Sequence, residues 1–383
     1  MNVLERDVRR RIAERLGGRP MIIGRAANLT QPHLGRGSCQ SRNRCIRGCP
    51  YGAYFSSNAS TLPAAAATGN LTLRPFSIAV EVLHDAARGR ASGVRVVDTQ
   101  TREVIDYRAR VVFLCASAVA STALLMNSVS DRFPNGLGND SGELGHNLMD
   151  HHFKVGASGV TDDFGDRYYR GARPNGIYIP RFRNVDAKSK RKDYLRGFGY
   201  QGSASRTDWS RGIAELNRFG STLKAELIAP GPWQFGIGSW GECLPYHDNR
   251  LTLDRTRRDK WGQPVVVFDC GWKENELAMR KDMQASAIEM LEAAGLKEIK
   301  GYDDVVNSAP GNCIHEMGTA RMGRDPRTSV LNAWNQVHAV PNVFVTDGAC
   351  MTSNGCVNPS LTYMALTARA CDHAVSEMRK LNL

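Results

Sequence analysis

The middle of the chain contains short runs in which apolar and polar residues alternate. Each run is typical of a strand with one buried face. These runs are residues 176–179, 223–228, 250–253 and 265–268. A longer pattern with helical spacing covers residues 274–294 and ends at Gly295, a common residue just after a helix. Residues 151–300 are therefore predicted to form an antiparallel sheet covered by a helix.

Near the C-terminus the pattern changes to a continuous apolar run. Residues 343–346 are β-branched or aromatic and stop at Asp347-Gly348, which predicts a buried parallel strand that ends at a turn. Asn358 and Pro359 then predict a helix start, because asparagine is a preferred N-cap and proline suits the first helical position. Ligands of open α/β sheets bind at the carboxyl ends of strands, and helix N-termini attract negative charge. We therefore expect a binding site for an anionic group here.

Other predicted elements complete the fold class. Residues 110–115 form a second buried strand, which is followed by a turn and a helix at residues 119–127. Residues 70–107 alternate and are expected to form antiparallel strands. Residues 2–16 have helical spacing through Val3, Val8, Ile12 and Leu16, and we expect a solvated helix. Together the elements predict an α/β fold of two lobes.

The composition is that of an ordinary folded protein, because 42% of the 383 residues are hydrophobic and 23% are charged. The formal net charge of +12 suits an anionic cofactor, an acidic protein partner or an anionic membrane surface. Nucleic acid is not expected as a partner, because no basic helix or stacking motif accompanies the charge. No apolar run reaches the roughly 18 residues of a transmembrane segment, and residues 1–19 lack the apolar centre of a signal peptide.

The candidate catalytic residue is His315, because histidine has a pKa near neutrality and can accept a proton from an alcohol. It opens the motif H-x-x-G-T-x-x-M-G, which is followed by V-T-D-G at residues 345–348 and by N-P-x-x-T at residues 358–362. The order and spacing of these motifs resemble the C-terminal part of the glucose–methanol–choline (GMC) flavoprotein oxidoreductases. The resemblance extends from about Arg36 to the end of the chain.

This resemblance implies an FAD-dependent oxidoreductase that acts on the CH–OH group of an alcohol or sugar, similar to bacterial sugar and gluconate dehydrogenase large subunits. His315 is implied to take the hydroxyl proton while hydride passes to flavin N5, and Asn358 to hydrogen-bond the substrate oxygen. The implied FAD contacts are Ala79, Ala116, Asp347, Gly348, Asn358, Pro359 and Thr362. Ser117 stands where the family usually has glycine, which bears on how closely the backbone approaches the cofactor. His146, His151 and His152 lack the spacing of a zinc motif and are expected to be structural.

Three cysteines, Cys39, Cys45 and Cys49, lie close together, and Pro50 follows the last. Thiolates are the usual protein ligands of iron–sulfur clusters, and proline commonly follows a ligating cysteine. The spacing is similar to that of bacterial FAD glucose dehydrogenases, which implies a 3Fe-4S cluster that passes electrons to a cytochrome or small-subunit acceptor. A zinc site completed by His33 and thiols that only pack within the fold are the alternatives.

The sequence contains no acceptable glycine-rich dinucleotide fingerprint. Residues 236–241 match G-x-G-x-x-G, but Pro245 and a strand-like run follow where the fingerprint requires a helix. We therefore expect the chain to correspond to the C-terminal two thirds of a GMC subunit. By itself it is expected to bind FAD weakly or not at all and to show no dehydrogenase activity, because the unit that binds the pyrophosphate is missing.

The predicted domain organisation follows from the resemblance. A partial FAD-binding domain with the cysteine-rich segment 39–49 occupies residues 1–150, and a substrate domain occupies residues 151–300. Residues 301–383 return to the FAD domain and carry the catalytic residues. The alternative to an enzyme is a catalytically inactive remnant or a binding subunit that needs a partner chain.

Overall fold

The computed structural model describes residues 1–42, 45–167, 176–206, 219–229 and 231–383. The helices of these residues are α1 (Val3–Arg15), α2 (Thr61–Ala66), α3 (Ala118–Asn127), α4 (Gly220–Ile228), α5 (Glu274–Ala293) and α6 (Ser360–Arg379). The strands are β1 (Ile22–Ile23), β2 (Ser77–Asp85), β3 (Arg90–Asp98), β4 (Val104–Arg108), β5 (Val112–Leu114), β6 (Val155–Thr161), β7 (Ile177–Ile179), β8 (Phe198–Arg206), β9 (Trp233–Gly241), β10 (Arg250–Arg258), β11 (Pro264–Asp269), β12 (Lys297–Asp303), β13 (Gln336–Val337) and β14 (Val340–Val345). Among these described helices, none combines the length and the apolar character needed to cross a bilayer.

One compact unit contains residues 1–73, 153–240 and 278–305. Its six-stranded sheet has the order β1-β7-β8-β9-β6-β12, and the pairs β1–β7, β7–β8, β6–β9 and β6–β12 are antiparallel. Alternate residues of β9 are buried, as expected for a strand with one face in the core. Met279, Met283 and Met290 of α5 pack in the same core. An antiparallel sheet with a covering helix is therefore confirmed. Of the four runs predicted to build it, residues 176–179 contribute a strand to this sheet and the other three do not.

Helix α1 packs in the core of this unit, so the prediction of a solvated helix is wrong. Leu4, Val8 and Ile12 repeat every four residues along one helix face and are 2%, 0% and 0% exposed. The helix begins with a capping box, in which the Asn2 side chain accepts the N–H of Glu5 and the Glu5 carboxylate accepts the N–H of Asn2. The sequence pattern contained the correct period, but Leu4 lies at the centre of the buried face, and Val3 and Leu16 are only partly buried at its edge.

The second compact unit contains residues 74–152, 241–277 and 306–383. Strands β5 and β14 form a parallel pair, in which Val112 lies opposite Val343 and Leu114 opposite Val345. Strand β13 pairs with the other edge of β14. Strands β2, β3 and β4 form a separate antiparallel sheet, and β10 and β11 form a hairpin. The predicted parallel strand near the C-terminus and the antiparallel strands of residues 70–107 are thus confirmed.

These units confirm the α/β fold class with two lobes. The chain changes unit at residues 152/153 and 305/306, close to the predicted domain boundaries at 150 and 300, but it also changes unit at 73/74, 240/241 and 277/278. Residues 1–73 belong with the antiparallel sheet, because α1 contributes its apolar face to that core. Residues 241–277, which include both runs of the hairpin predicted for the substrate sheet, belong with the parallel strand pair.

The predictions for two short segments, residues 236–241 and 223–228, have opposite outcomes. Residues 236–241 lie within β9, which confirms that they are not a dinucleotide fingerprint. Residues 223–228, which were predicted to form a strand, lie in α4. Leucine, lysine, alanine and glutamate are all strong helix formers, and here that propensity outweighs a short alternating pattern.

Candidate active site

Two segments of the second unit lie side by side and position the candidate base. Met149 and Met317 exchange backbone hydrogen bonds of 2.8 and 2.9 Å. The next residue, Gly318, has φ +94°, and a Cβ atom there would lie 2.0 Å from the carbonyl oxygen of Asn147. Only glycine permits both this backbone conformation and this approach. The glycine three residues after His315 therefore allows the two segments to lie in contact.

The carboxylate of Asp150 holds the loop that carries His315. Asp150 is fully buried and accepts the backbone N–H groups of His151 at 2.7 Å, Gly311 at 2.8 Å, Cys313 at 3.1 Å and His315 at 3.2 Å. Burial outweighs these bonds and raises the pKa of Asp150 to about 6. One side chain thus fixes the backbone of both segments.

The imidazole of His315 is half-buried and makes contacts at both ring nitrogens. Its Nδ1 lies 2.9 Å from Nδ1 of His151 and 3.5 Å from Sγ of Cys313. Its Nε2 lies 3.4 Å from the amide nitrogen of Asn358. Burial lowers the pKa of His315, so the ring is neutral at pH 7 and keeps an unshared electron pair. The structure therefore brings together the two residues predicted to be catalytic.

His151 lies behind His315 in the interior of the unit. Its ring is 0% exposed and nearly perpendicular to that of His315, with 5.0 Å between the ring centroids. Its Nε2 contacts the carbonyl oxygen of Gly355. Burial lowers the pKa of His151 to about 4, so this imidazole is also neutral near pH 7.

The potential ligand atoms of His151, Cys313 and His315 lie within 4.8 Å of one another. The Nδ1 to Nδ1 distance of 2.9 Å is that of an N–H···N hydrogen bond. Two nitrogen ligands of a tetrahedral zinc ion would lie about 3.3 Å apart, given the usual Zn–N bond length. Hydrogen bonding therefore accounts for this group without a metal.

The predicted cofactor contacts Ala116 and Asp347 lie together where β5 and β14 end. Ser121 connects them, because its hydroxyl donates to Asp347 at 2.5 Å and accepts the N–H of Ala116 at 3.0 Å. Burial raises the pKa of Asp347. Ser117 has φ +86°, which is a strained conformation for any residue other than glycine. The serine therefore keeps a backbone conformation that glycine would adopt without strain.

The remaining predicted contacts lie around the start of α6 and on β2. A Cβ atom at Gly348 would lie 2.2 Å from the carbonyl oxygen of Glu316, so the turn after β14 needs glycine. The N-cap position of α6 is Pro359, without a side-chain capping bond, and the prediction that Asn358 is the N-cap is wrong. Thr362 is exposed in the first turn of α6. Ala79 is exposed on β2, in a different sheet from β5 and β14.

The surface around His315 has the chemistry expected of a site for an aromatic ring that gains negative charge. Ile314, Val357 and Leu361 flank the predicted catalytic and cofactor residues in the sequence and are 80%, 48% and 74% exposed. The first turn of α6 adds backbone N–H groups with partial positive charge. Apolar side chains beside a helix N-terminus fit a flat aromatic ring that becomes negatively charged. These residues therefore fit the isoalloxazine ring of a flavin.

The three cysteines of the predicted cluster line one pocket in the first unit. The described lining residues also include Asn28, Arg42, Ala53, Tyr51 and Tyr54. Backbone N–H groups of Tyr54, Tyr51 and Ala53 lower the pKa of Cys49. Cys39 Sγ accepts from the N–H of Ser41 at 3.4 Å and from the Asn28 amide at 3.6 Å. Convergent thiols that accept N–H bonds fit a group ligated by thiolates.

The burial and spacing of these cysteines bear on the two alternatives, thiols that only pack and a zinc site. All three thiols are free and only partly buried, whereas thiols that serve packing alone are usually enclosed. Their sulfur atoms are not among the described groups with ligand atoms within 4.8 Å, although zinc-bound sulfurs lie about 3.8 Å apart. His33, the fourth ligand of the zinc alternative, is exposed and is not among the described residues that line the pocket. The arrangement is wider than a zinc site requires.

Sequence reasoning missed the contributions of Asp150, His151 and Cys313. His151 was expected to be only structural, and the other two were assigned no role. The signal that could have found them is the pair Asp150-His151 after the apolar Leu148-Met149, because a charged residue and a histidine inside an apolar segment need partners. Only the fold shows that the partner is the loop that carries His315.

Comparison with known proteins shows the family to which this fold and these motifs belong. Sequence models of GMC oxidoreductases match residues 24–153 and 245–367. The chain belongs to this family. Both matched ranges include residues of the candidate site, because the first contains Asp150 and His151 and the second contains His315 and Asn358.

Relatives of this GMC oxidoreductase chain include enzymes and a solved structure. It is 32% identical over 364 residues to 2-methyl-1,2-propanediol dehydrogenase of Mycolicibacterium austroafricanum, covering 91% of this chain and 62% of that protein. It is 26% identical over 374 residues to the fructose dehydrogenase large subunit of Gluconobacter japonicus, covering 96% and 65%. Formate oxidase of Aspergillus oryzae has a similar fold, with a TM-score of 0.58 and 18% identity over 82% of this chain and 62% of that one. The chain thus spans less than two thirds of the length of these relatives.

Proposed function

We propose that this protein oxidises a CH–OH group of a small alcohol or sugar with FAD as the hydride acceptor. The observation that carries the proposal is the neutral His315, whose Nε2 faces the amide of Asn358 at 3.4 Å. A substrate hydroxyl that lies beside both groups, within hydrogen-bond distance of each, donates its proton to Nε2 and accepts an N–H bond from the amide. The proton and the oxygen are then both held while the C–H bond breaks.

The chain's own residues divide the work at this site. His315 acts as the base, because its lowered pKa keeps it unprotonated at neutral pH. Asn358 is exposed and orients the substrate oxygen. Asp150 acts through the backbone by holding the loop of His315 in place.

FAD, when bound, accepts the hydride that leaves the substrate carbon. The residues that would hold it at the strand ends and at the start of α6 are Ala116, Asp347, Gly348, Asn358, Pro359 and Thr362. Ala79 would meet its adenine end. The exposed apolar side chains and the N–H groups of α6 support this assignment, because together they suit an aromatic ring that gains negative charge.

The names of the relatives support a substrate with neighbouring hydroxyl groups. One relative is a dehydrogenase of 2-methyl-1,2-propanediol, and another is a large subunit of a fructose dehydrogenase. Both substrates are small and carry hydroxyl groups on adjacent carbons. We propose a vicinal diol or a sugar as the substrate class of this protein.

This function is tested under anaerobic conditions. The protein is reconstituted with excess FAD and is then mixed with vicinal diols, hexoses and aldonates. The proposed function predicts that at least one compound bleaches the visible absorbance of the bound flavin. Bound flavin that no compound bleaches would contradict the proposal. Protein that binds no FAD even in excess would favour a binding subunit or an inactive remnant.

We propose in addition that Cys39, Cys45 and Cys49 ligate an iron–sulfur cluster that connects the site to a one-electron acceptor such as a cytochrome or a small subunit. The N–H groups directed at Cys49 and Cys39 support this, because hydrogen bonds to sulfur stabilise ligating thiolates. Three thiolates match the ligand number that the family resemblance implies for a 3Fe-4S cluster.

Replacing Cys49 by serine is expected to lower the iron content and to abolish electron transfer to a cytochrome. Bleaching of bound flavin by the substrate is expected to persist, because that step needs only His315, Asn358 and FAD. Iron analysis and EPR of anaerobically purified protein measure the first effect, and stopped-flow absorbance measures the second. Cys371→Ser is the control, because this thiol is exposed on α6. Wild-type protein without iron would remove the cluster from the proposal.

A further inference from the structure

The buried contact between His151 and Gly355 determines where the proton of the His151 ring lies. A carbonyl oxygen can only accept hydrogen bonds, so Nε2 of His151 must carry a hydrogen. The ring is 0% exposed, and burial disfavours its charged form. A neutral imidazole has one N–H group. Nδ1 of His151 therefore carries an unshared pair and can only accept.

This arrangement in turn determines the proton position on His315. Its Nδ1 lies 2.9 Å from the accepting Nδ1 of His151, so Nδ1 of His315 must be the donor. Cys313 Sγ, 3.5 Å from the same nitrogen, can share this N–H as a weak acceptor. Since His315 is neutral as well, its unshared pair lies on Nε2. The Asn358 amide nitrogen, a donor 3.4 Å from Nε2, agrees with this assignment.

We infer that His151 is a positioning residue, which fixes His315 as the Nδ1–H tautomer and so directs the unshared pair of Nε2 towards the substrate. The inference rests on the proposed function for its catalytic meaning. His151 touches neither the proposed substrate position nor the flavin, and it acts only through the His315 ring. The chain of bonds runs from the carbonyl of Gly355 through His151 to His315.

The tautomer matters because only one of the two neutral forms of an imidazole has an unshared pair at a given nitrogen. Only that form can accept a proton there. An Nε2–H form of His315 would present a donor, rather than an acceptor, to a substrate hydroxyl. The fold would be intact, but the unshared pair of His315 would lie on Nδ1 and would not face the substrate. In Ser-His-Asp hydrolases, loss of the group that sets the histidine tautomer lowers kcat by about 10⁴-fold.

The tautomer is measurable by NMR on protein labelled with ¹⁵N-histidine, in the absence of FAD and substrate. The ¹⁵N shifts and two-bond couplings of a neutral ring distinguish its protonated from its unprotonated nitrogen. The His315 signals are assigned by their loss in His315→Ala. We expect the Nδ1–H form in the wild-type chain at pH 7. A wild-type His315 in the Nε2–H form would overturn the inference.

Two variants of His151 separate positioning from packing. His151→Asn can place an amide oxygen near the former Nδ1 and keep an acceptor for His315, so we expect it to retain the Nδ1–H form. His151→Leu fills a similar space without an acceptor, so we expect Nε2–H to become populated and kcat to fall at least about 10- to 100-fold, the loss seen when the hydrogen-bond partner of a metal-ligating histidine is removed. An unchanged tautomer in His151→Leu would contradict the inference. If His151→Leu does not fold, loss of the Nδ1–H form in folded His151→Asn would contradict it equally.

Activity distinguishes the failure of this inference from the failure of the proposed function. Oxidation of an alcohol by protein whose His315 is the Nε2–H tautomer contradicts the inference alone. An Nδ1–H tautomer in FAD-loaded protein that oxidises no alcohol contradicts the proposed function but supports the assigned role of His151 in fixing the ring. Equal losses of activity in His151→Asn and His151→Leu, at matched melting temperature, would reduce His151 to a packing residue.

Discussion

His315→Ala is expected to lower the rate of substrate-driven flavin bleaching by about 10²- to 10⁴-fold, the usual contribution of a general base. The FAD content should change little, because the other predicted cofactor contacts at the strand ends and in the first turn of α6 remain. Stopped-flow absorbance under anaerobic conditions measures the rate, and the flavin spectrum after gel filtration measures the content. The effect should appear in kcat, because the base acts while the C–H bond breaks.

His247→Ala is the matched control, since this imidazole is 61% exposed and stacks on His146. Its rate should equal that of the wild type. The pH profile gives a second check. Burial lowers the pKa of His315, so the wild-type rate should persist below about pH 6.5 and decline only when the ring is protonated on further acidification. Unchanged bleaching in His315→Ala would remove this residue from the mechanism.

Asp150→Asn is expected to cost about 3 kcal/mol of unfolding free energy at pH 7. The buried carboxylate accepts four backbone N–H groups, whereas an asparagine side chain keeps one acceptor oxygen and directs N–H groups at the remaining donors. Urea unfolding measures the loss. The loop of His315 should also loosen, so the activity of the folded variant should fall.

The pH dependence of this loss has a defined sign. Burial raises the pKa of Asp150 to about 6, above its value of about 3.9 in an unfolded chain. Between these values the folded protein binds a proton that the unfolded chain does not, so the contribution of Asp150 to stability falls as the pH rises towards 6. The gap between the wild type and Asp150→Asn should therefore widen from pH 7 to pH 5. Asp166→Asn, at a side chain that is 72% exposed, should change stability by less than about 0.5 kcal/mol at either pH.

The elements that carry the site were predictable because their patterns are local. The run at residues 343–346 could only be buried, and it forms the end of β14 and the turn that follows. The helix after Pro359 was predicted within one residue of its observed start at Ser360. His315 and Asn358 were found through motif spacing, and the fold places them 3.4 Å apart.

The sequence predictions were wrong where contacts between distant parts of the chain determine the role of a residue. Nothing in the first sixteen residues shows that strands more than a hundred residues away contribute to the core around Leu4, Val8 and Ile12. Asn358 has the residue type of an N-cap, but its side chain is directed at His315 instead. The role of His151 depends on a carbonyl at Gly355, and backbone carbonyls leave no signature in a sequence.

The contact between the two imidazoles makes them unequal targets for covalent labelling. An electrophile needs an unshared pair that it can approach, and the unshared pair of His151 is buried and already accepts a proton from its neighbour. The unshared pair of His315 lies at the half-exposed edge beside Asn358. A substrate-like alkylating agent would therefore react with one ring of the pair and leave the other intact. The ring behind would even sharpen that selectivity, because it keeps the reactive nitrogen directed outwards.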